Sequence, residues 1–425
     1  MPAKHAVKLY VVEPRGSGGM IHYAYQLCNA FAGHVSDVTL VTAKSYELDE
    51  YPHSFTVDKF LNLWTRSDLF LAKLGPGFAA KLLRKVLHNV RRVGRGIRYV
   101  FEWMKLANHL VRVRPDIVQF GSIEFPFESI FLGYLKARGL ILAQICHEFE
   151  PRERASGYLV KLNNYLLKNV FNAFSIIFFH SESNRQRFKQ LYPAVDLDNS
   201  YIIPMGNGQI FPLVNDYSRI QLGLKKQYGL HESESVVLFF GNITPSKGVD
   251  DLLNAFACVY AVNKNARLII AGMPLKYIDI DSLVGLSEAL GIQSVTVFDT
   301  RYLPLEEVRP LIELADVVVY PYVTSTQSAS IQAAYAFGKP VVATRVGGLP
   351  DIVVDGESGF LVSPQSPKEL SAAILKIIEN EELAQRMGRF AKNLSETRFS
   401  WPPIAGDIVD VYVDYLTKNR SHGLL

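Results

Sequence analysis

Two series of short β-branched and aromatic runs, each alternating with helix-like stretches, constrain this sequence more than anything else in it. The first series is Val7 to Val12, Val38 to Thr42, Ile117 to Phe120, Leu140 to Cys146 and Ile176 to Phe179. The second is Val236 to Phe240, Leu268 to Ala271, Val295 to Phe298, Val317 to Tyr320 and Val341 to Thr344. Such alternation predicts a parallel sheet with crossover helices, here twice. At 425 residues the chain also exceeds the roughly 250 to 300 residues at which one core splits into two. Between the series, Ile203-Pro204-Met205-Gly206-Asn207-Gly208 interrupts both helix and strand periodicity. The sequence therefore predicts two Rossmann-like domains, 1–205 and 206–400, with a linker around 205–217 and a final helix in 401–425 returning to the first domain. Ligands of open parallel sheets sit outside the carboxyl ends of the strands, so the active site is expected in a cleft between the two domains.

Composition narrows the function. With 45 Lys and Arg against 41 Asp and Glu, a net charge of +4, the chain lacks the basic excess of a nucleic-acid binder, and none is expected as a partner. Cys28, Cys146 and Cys258 are an odd, widely spaced trio among apolar neighbours, which reads as reduced core cysteines rather than a disulfide frame or zinc site. No secretory signal pattern opens the sequence, so a cytoplasmic location is expected. One segment stands apart. Lys81 to Lys105 holds eight Lys or Arg and a single acid, Glu102, mixed with Leu, Val, Tyr, Phe and Trp. That pattern suits a helix lying peripherally on an anionic membrane, and equally an ordinary surface helix whose long stems cover the core.

The longest uncharged stretch, Val317 to Gly338, is too rich in Ser, Thr and Gln, with Pro321 inside it, to span a membrane. It reads instead as strand, loop and helix: Val317 to Tyr322, then Thr324-Ser325-Thr326-Gln327-Ser328, then Ile331 to Ala336, ended by Gly338 and Pro340. Hydroxyl residues suit the helix start. Unpaired N–H groups there carry partial positive charge and, with Thr326 and Ser328 as donors, would accommodate a diphosphate. After Val236 to Phe240 comes Gly241-Asn242-Ile243-Thr244-Pro245-Ser246-Lys247-Gly248, where Lys247 could reach phosphate as a point charge although the P-loop order is absent. Gly18 and Gly19, at the turn after the first strand, allow close backbone approach to a ligand. His147, Glu148 and Glu150 follow the run ending at Cys146 and could orient a sugar hydroxyl or move a proton; a structural histidine is the alternative.

Taken in order, these elements resemble the family 4 (group 1) glycosyltransferases, retaining enzymes of the GT-B fold that move a sugar from a nucleotide diphosphate to an acceptor. The resemblance runs most closely from Val236 to Trp401, through Gly241 to Gly248, Asp316 to Pro321, Phe337 to Ala343, Gly347-Gly348-Leu349-Pro350-Asp351, Asp355 to Val362 and Phe399-Ser400-Trp401. It implies an α/β GT-B protein with an acceptor-side N-terminal domain and a donor-binding C-terminal domain. It implies a donor linked to UDP or GDP, a saccharide or lipid-linked acceptor, a role in cell-surface polysaccharide or glycoconjugate synthesis, and no required metal or cofactor. Gly18 and Gly19 would approach the donor phosphates and acceptor, His147 the donor sugar, and Lys247 the phosphates, beside Asn242 where the family's arginine would stand. The family's two glutamates fall on Ser325 and Ala333, which marks a divergent subgroup. Sugar recognition would then pass to Ser325, Gln327 or backbone groups, and ribose recognition to Gln332 or Tyr335. Two other functions share this fold: a non-catalytic nucleotide-sugar-binding or partner subunit, and a nucleotide-sugar epimerase.

Overall fold

Every predicted strand forms, and all the runs except Val295 to Phe298 are buried along most of their length. The computed structural model describes residues 4–62, 78–123, 125–149, 167–208, 217–275 and 278–421, with backbone only at 78–93. The chain divides into two compact units. One comprises Met1–Phe179, Arg185–Ile203 and Trp401–Leu425, the other His180–Asn184 and Pro204–Ser400.

In the first unit, β1 (His5–Val12), β2 (Val35–Ala43), β3 (Thr56–Leu61), β4 (Ile117–Phe120), β5 (Ile141–Ile145), β6 (Ile176–Phe179) and β7 (Ser200–Ile202) make a seven-stranded sheet in the order β3-β2-β1-β4-β5-β6-β7. Neighbouring strands pair in parallel, with Leu9 opposite Ile117 and Val12 opposite both Val41 and Phe120. All residues of β4, β5 and β6 are buried, as strands covered on both faces must be. The last helix, Trp401–Ser421, packs on Gly19–Phe31, the helix that follows β1. Trp401 Nε1 donates to Gln26 Oε1 at 3.0 Å, and Tyr412 Oη donates to Gln119 Oε1 of β4 at 2.6 Å.

In the second unit, β8 (Ser235–Phe240), β9 (Ala266–Ala271), β10 (Thr296–Asp299), β11 (Val317–Tyr320), β12 (Val341–Thr344) and β13 (Gly359–Val362) make a six-stranded sheet in the order β10-β9-β8-β11-β12-β13. These strands too pair in parallel, and β11 and β12 are fully buried. The order makes β8, β11 and β12 neighbours, which brings their carboxyl-end loops side by side. Three strands were not foreseen: β3, β7 and β13. Each lies at a sheet edge, where one flank has no partner strand and a continuous apolar run is not needed; in β3, Thr-Val-Asp-Lys-Phe-Leu, only Leu61 is buried.

Candidate functional site

The second unit gathers three loops over the carboxyl ends of β8, β11 and β12. The loop after β8 is bonded to the loop after β11: Val323 N donates to Ser246 O at 2.8 Å. The loop after β11 is bonded to the loop after β12: Gly348 N donates to Thr326 O at 3.0 Å, and Thr344 Oγ1 to Tyr322 O at 2.6 Å. Contacts this close need glycine. A Cβ on Gly248 would overlap Pro321 O, and one on Gly347, whose φ is 49°, would overlap Ser325 O and lie 2.7 Å from its carbonyl carbon. Any other residue there would carry left-handed strain as well as the clash.

Lys247 ends a short 3-10 turn, Pro245–Lys247, and its Nζ sits 3.5 Å from the centre of the Tyr322 ring. This cation–π contact holds the ammonium beside the β11 loop. Tyr322 is itself buried, and its hydroxyl and Ser328 Oγ are 3.2 Å apart. Ser328 is the N-cap of the helix Ala329–Ala336, but its side chain does not cap the helix. The sequence expectation of a hydroxyl cap is corrected here: the hydroxyl is drawn to Tyr322, and Ser328 is 3% exposed. Ser325 Oγ donates to Gln327 O at 2.9 Å, so this hydroxyl shapes the loop. Ser325, Thr326 and Gln327 are half-buried, and Asn242 is exposed on the loop after β8.

The positions of the two missing glutamates differ in kind. Ser325 is part of the loop just described. Ala333 is 4% exposed and packs on the Gly208 backbone so closely that a Cβ at 208 would lie 2.7 Å from Ala333 Cα. Of the two replacements the sequence offered, Tyr335 is committed to the core, its hydroxyl 2.6 Å from Ser358 Oγ and its ionisation opposed by burial. Gln332 is 1% exposed, and among the described residues neither its Nε2 nor its Oε1 has a hydrogen-bond partner. A buried amide left unpaired at both ends costs free energy that a bound polar ligand would recover.

In the first unit, Gly18 has a φ of 90°, and among the described residues a Cβ on it or on Gly19 would meet nothing within 4 Å. The turn is held from below. Gly18 N donates to Glu47 Oε1 at 2.6 Å, and His22 Nε2 lies 2.5 Å from the same oxygen. His147, half-buried after β5, meets the edge of Tyr23, ring centres 4.5 Å apart at 81°. Tyr23 also meets Trp401 edge-on at 4.9 Å. The structure thus brings Gly18, Gly19 and His147 into one neighbourhood through Tyr23, a phenol whose ionisation burial opposes. Sequence reasoning missed His22 and Glu47; their pairing joins residues 25 apart that share no local motif. Glu148 is exposed, and Glu150 lies outside the described residues. Among the described residues, no group of three or more His, Cys, Asp or Glu could hold a metal ion.

A family model for glycosyl transferases group 1 matches residues 223–394. An uncharacterized glycosyltransferase of Methanocaldococcus jannaschii is 31% identical over 321 residues, 73% of this chain and 87% of that protein. The chain belongs to the group 1 glycosyl transferases. A D-inositol 3-phosphate glycosyltransferase of Corynebacterium glutamicum is 29% identical over 280 residues, 65% of this chain, and the match spans 63% of that relative's length. For the relative of the same description from Segniliparus rotundus the match spans 42% of its length. Among solved structures, sucrose-phosphate synthase from Thermosynechococcus elongatus superposes with a TM-score of 0.70 at 18% identity, covering 97% of this chain and all (100%) of that one. Anabaena Alr3699/HepE in complex with UDP superposes with a TM-score of 0.69 at 18% identity, covering 96% and 100%. The group 1 chain has the GT-B fold, with its family match lying wholly in the second unit.

Proposed function

We propose that this group 1 glycosyl transferase takes a sugar from a nucleoside-diphosphate sugar and joins it, with retention of anomeric configuration, to a hydroxyl of an acceptor. The observation that carries the reading is the junction of the β8, β11 and β12 loops, where Lys247, just ahead of the helix Val249–Val262, is held against Tyr322. As the anomeric C–O bond breaks, negative charge grows on the leaving diphosphate. Lys247, the Thr326 hydroxyl and the loop amides are suited to meet it, and groups fixed in advance stabilise a transition state without reorganising. Gln332 contributes its two unpaired amide atoms to the nucleoside. His147 and the Gly18–Gly19 turn serve the sugar and acceptor.

The names of relatives favour a small polyhydroxy or hydroxy-acid acceptor: a D-inositol 3-phosphate glycosyltransferase and an N-acetyl-alpha-D-glucosaminyl L-malate synthase both match. A saccharide acceptor is equally compatible with the reaction, and the assay separates them. The purified chain is incubated with UDP-, GDP- and ADP-sugars and a panel of polyols, hydroxy acids and saccharides, and the product is examined by proton NMR. An axial-linked product from an axial-linked donor is expected. Nucleotide binding without transfer to any acceptor would favour the non-catalytic reading, and donor isomerisation without acceptor would favour an epimerase.

A further inference from the structure

The helix Phe78–Val113 carries an exposed apolar face that sugar transfer does not use. Ile97, Val100, Phe101 and Met104 are 55%, 43%, 54% and 44% exposed, and steps of three, one and three residues put them on one side of a helix. The opposite side already holds the helix to the domain: Tyr99, Trp103, Leu106 and Leu110 are buried, and Trp103 stacks on Phe120 of β4 at 5.8 Å. Phe125, edge-on to Tyr99 at 5.2 Å, and the helix Glu128–Ala137, whose Phe131 stacks on Trp103, pack on that buried side and leave the outer face uncovered. One apolar face packs a helix; a second, exposed and contiguous, marks a surface that meets something else.

Charge says what that is. Between Lys81 and Lys105 eight cations stand against Glu102 alone. That acid is buried, accepts from Asn62 N at 3.2 Å and pairs with Lys105 at 3.0 Å, so it offsets Lys105 and leaves the other seven cations uncompensated within the segment. Arg95 is exposed and Arg98 half-buried, within a turn of the apolar face. In the sequence, the same steps of three and four lead back from Ile97 through Val93, Val90, Val86 and Leu83, whose side chains lie outside the described residues. The described apolar face, Ile97 to Met104, lies beside Arg95 and Arg98 on a helix of 36 residues, about 54 Å long, and an exposed apolar face beside cations complements an anionic lipid plane. None of the described helices is long and apolar enough to cross a membrane.

We propose that this face docks on an anionic lipid bilayer, with Phe101 and Met104 inserted among the headgroups and the helix lying in the interface plane. The test is flotation of the full chain with vesicles of phosphatidylcholine alone and with about 30% phosphatidylglycerol, at about 0.1 M salt. Wild type is expected to float only with the anionic vesicles. Phe101→Asp with Met104→Asp should weaken binding at least about tenfold, and Arg95→Gln with Arg98→Gln about 25-fold, near fivefold for each cation. Phe101, Met104 and Arg95 are exposed and Arg98 is half-buried, so the melting temperature of each variant is measured and an unchanged value confirms that folding is intact. Failure of wild type to bind, binding indifferent to lipid charge, or binding unaffected by the Phe101 and Met104 changes overturns the proposal. So does a concentration-dependent dimer that Phe101→Asp dissociates, which would assign the face to a second copy of the chain.

Discussion

Replacing Gly347 by alanine should damage nucleotide binding far more than it damages the fold. Two terms add at this position. The left-handed backbone, φ 49°, costs a residue with a Cβ about 1–2 kcal/mol. The new Cβ would also overlap Ser325 O and lie 2.7 Å from its carbon, so the β11 loop must move by at least about 1.5 Å before any contact is acceptable. Gly356 supplies the control, because its φ is 83° and a Cβ there meets nothing within 4 Å. Gly356→Ala therefore carries the backbone term alone, and should lower the melting temperature by about 2–6 °C if the unit unfolds as one body of about 200 residues. Gly347→Ala should lower it by more. A displaced loop loses one or more charge-assisted contacts to phosphate, each about 1.5–3 kcal/mol, so affinity for the nucleoside diphosphate should fall about 10- to 100-fold. Calorimetric titration and thermal melting of both variants make the comparison. Equal nucleotide affinity in the two would refute the reasoning, since it would mean that the Ser325–Thr326 backbone can shift without consequence for the ligand.

Other substitutions separate the remaining parts. Lys247→Ala removes a cation–π contact worth about 1 kcal/mol, so the ligand-free melting temperature should drop only about 2–4 °C while diphosphate affinity falls about tenfold or more; wild-type affinity in a titration would exclude Lys247 as a phosphate ligand. Gln332→Leu removes two unpaired buried polar atoms, and the ligand-free protein should gain about 1–3 kcal/mol in urea unfolding while binding the nucleotide more weakly. Stabilisation with unchanged affinity would leave Gln332 a core residue without a part in binding. Glu47→Gln weakens the acceptor for both Gly18 N and His22, and should cost about 1–2 kcal/mol of stability, read in the same unfolding experiment; no change would show that the turn after β1 is held by its glycines alone.

The buried centre of each sheet was legible because strands covered on both faces have to be continuously apolar, and Val317 to Tyr320 or Ile117 to Phe120 fit no exposed role. Of the edges, β10 was legible from Val295 to Phe298, whereas β3 is paired on one side only and mixes polar with apolar residues, and β7 and β13 are three and four residues long, too short to show a pattern. For the site, local order was enough to find Lys247 and the Ser325–Ser328 loop: a strand, a polar turn and a helix start are adjacent in sequence and in space. What local order could not give is how hydroxyls are spent. Ser328 looks like a helix cap in sequence, and Tyr322, six residues earlier, takes its oxygen instead. Tyr335 and Gln332 were equivalent as replacements for a glutamate until Ser358, 23 residues on from Tyr335, was seen to satisfy one of them. Glu47 and His22 meet across a loop that carries no pattern of its own.

The central claim is that the loops after β8, β11 and β12 bind a nucleoside diphosphate, and calorimetric titration of the wild-type chain with UDP, GDP and ADP tests it most directly. One of the three should bind, and at about a hundredfold excess over its dissociation constant it should add about 2.7 kcal/mol of stability, an increment that Lys247→Ala and Thr326→Val sharply reduce. Absence of binding by all three, or binding that both substitutions leave intact, would contradict the assignment.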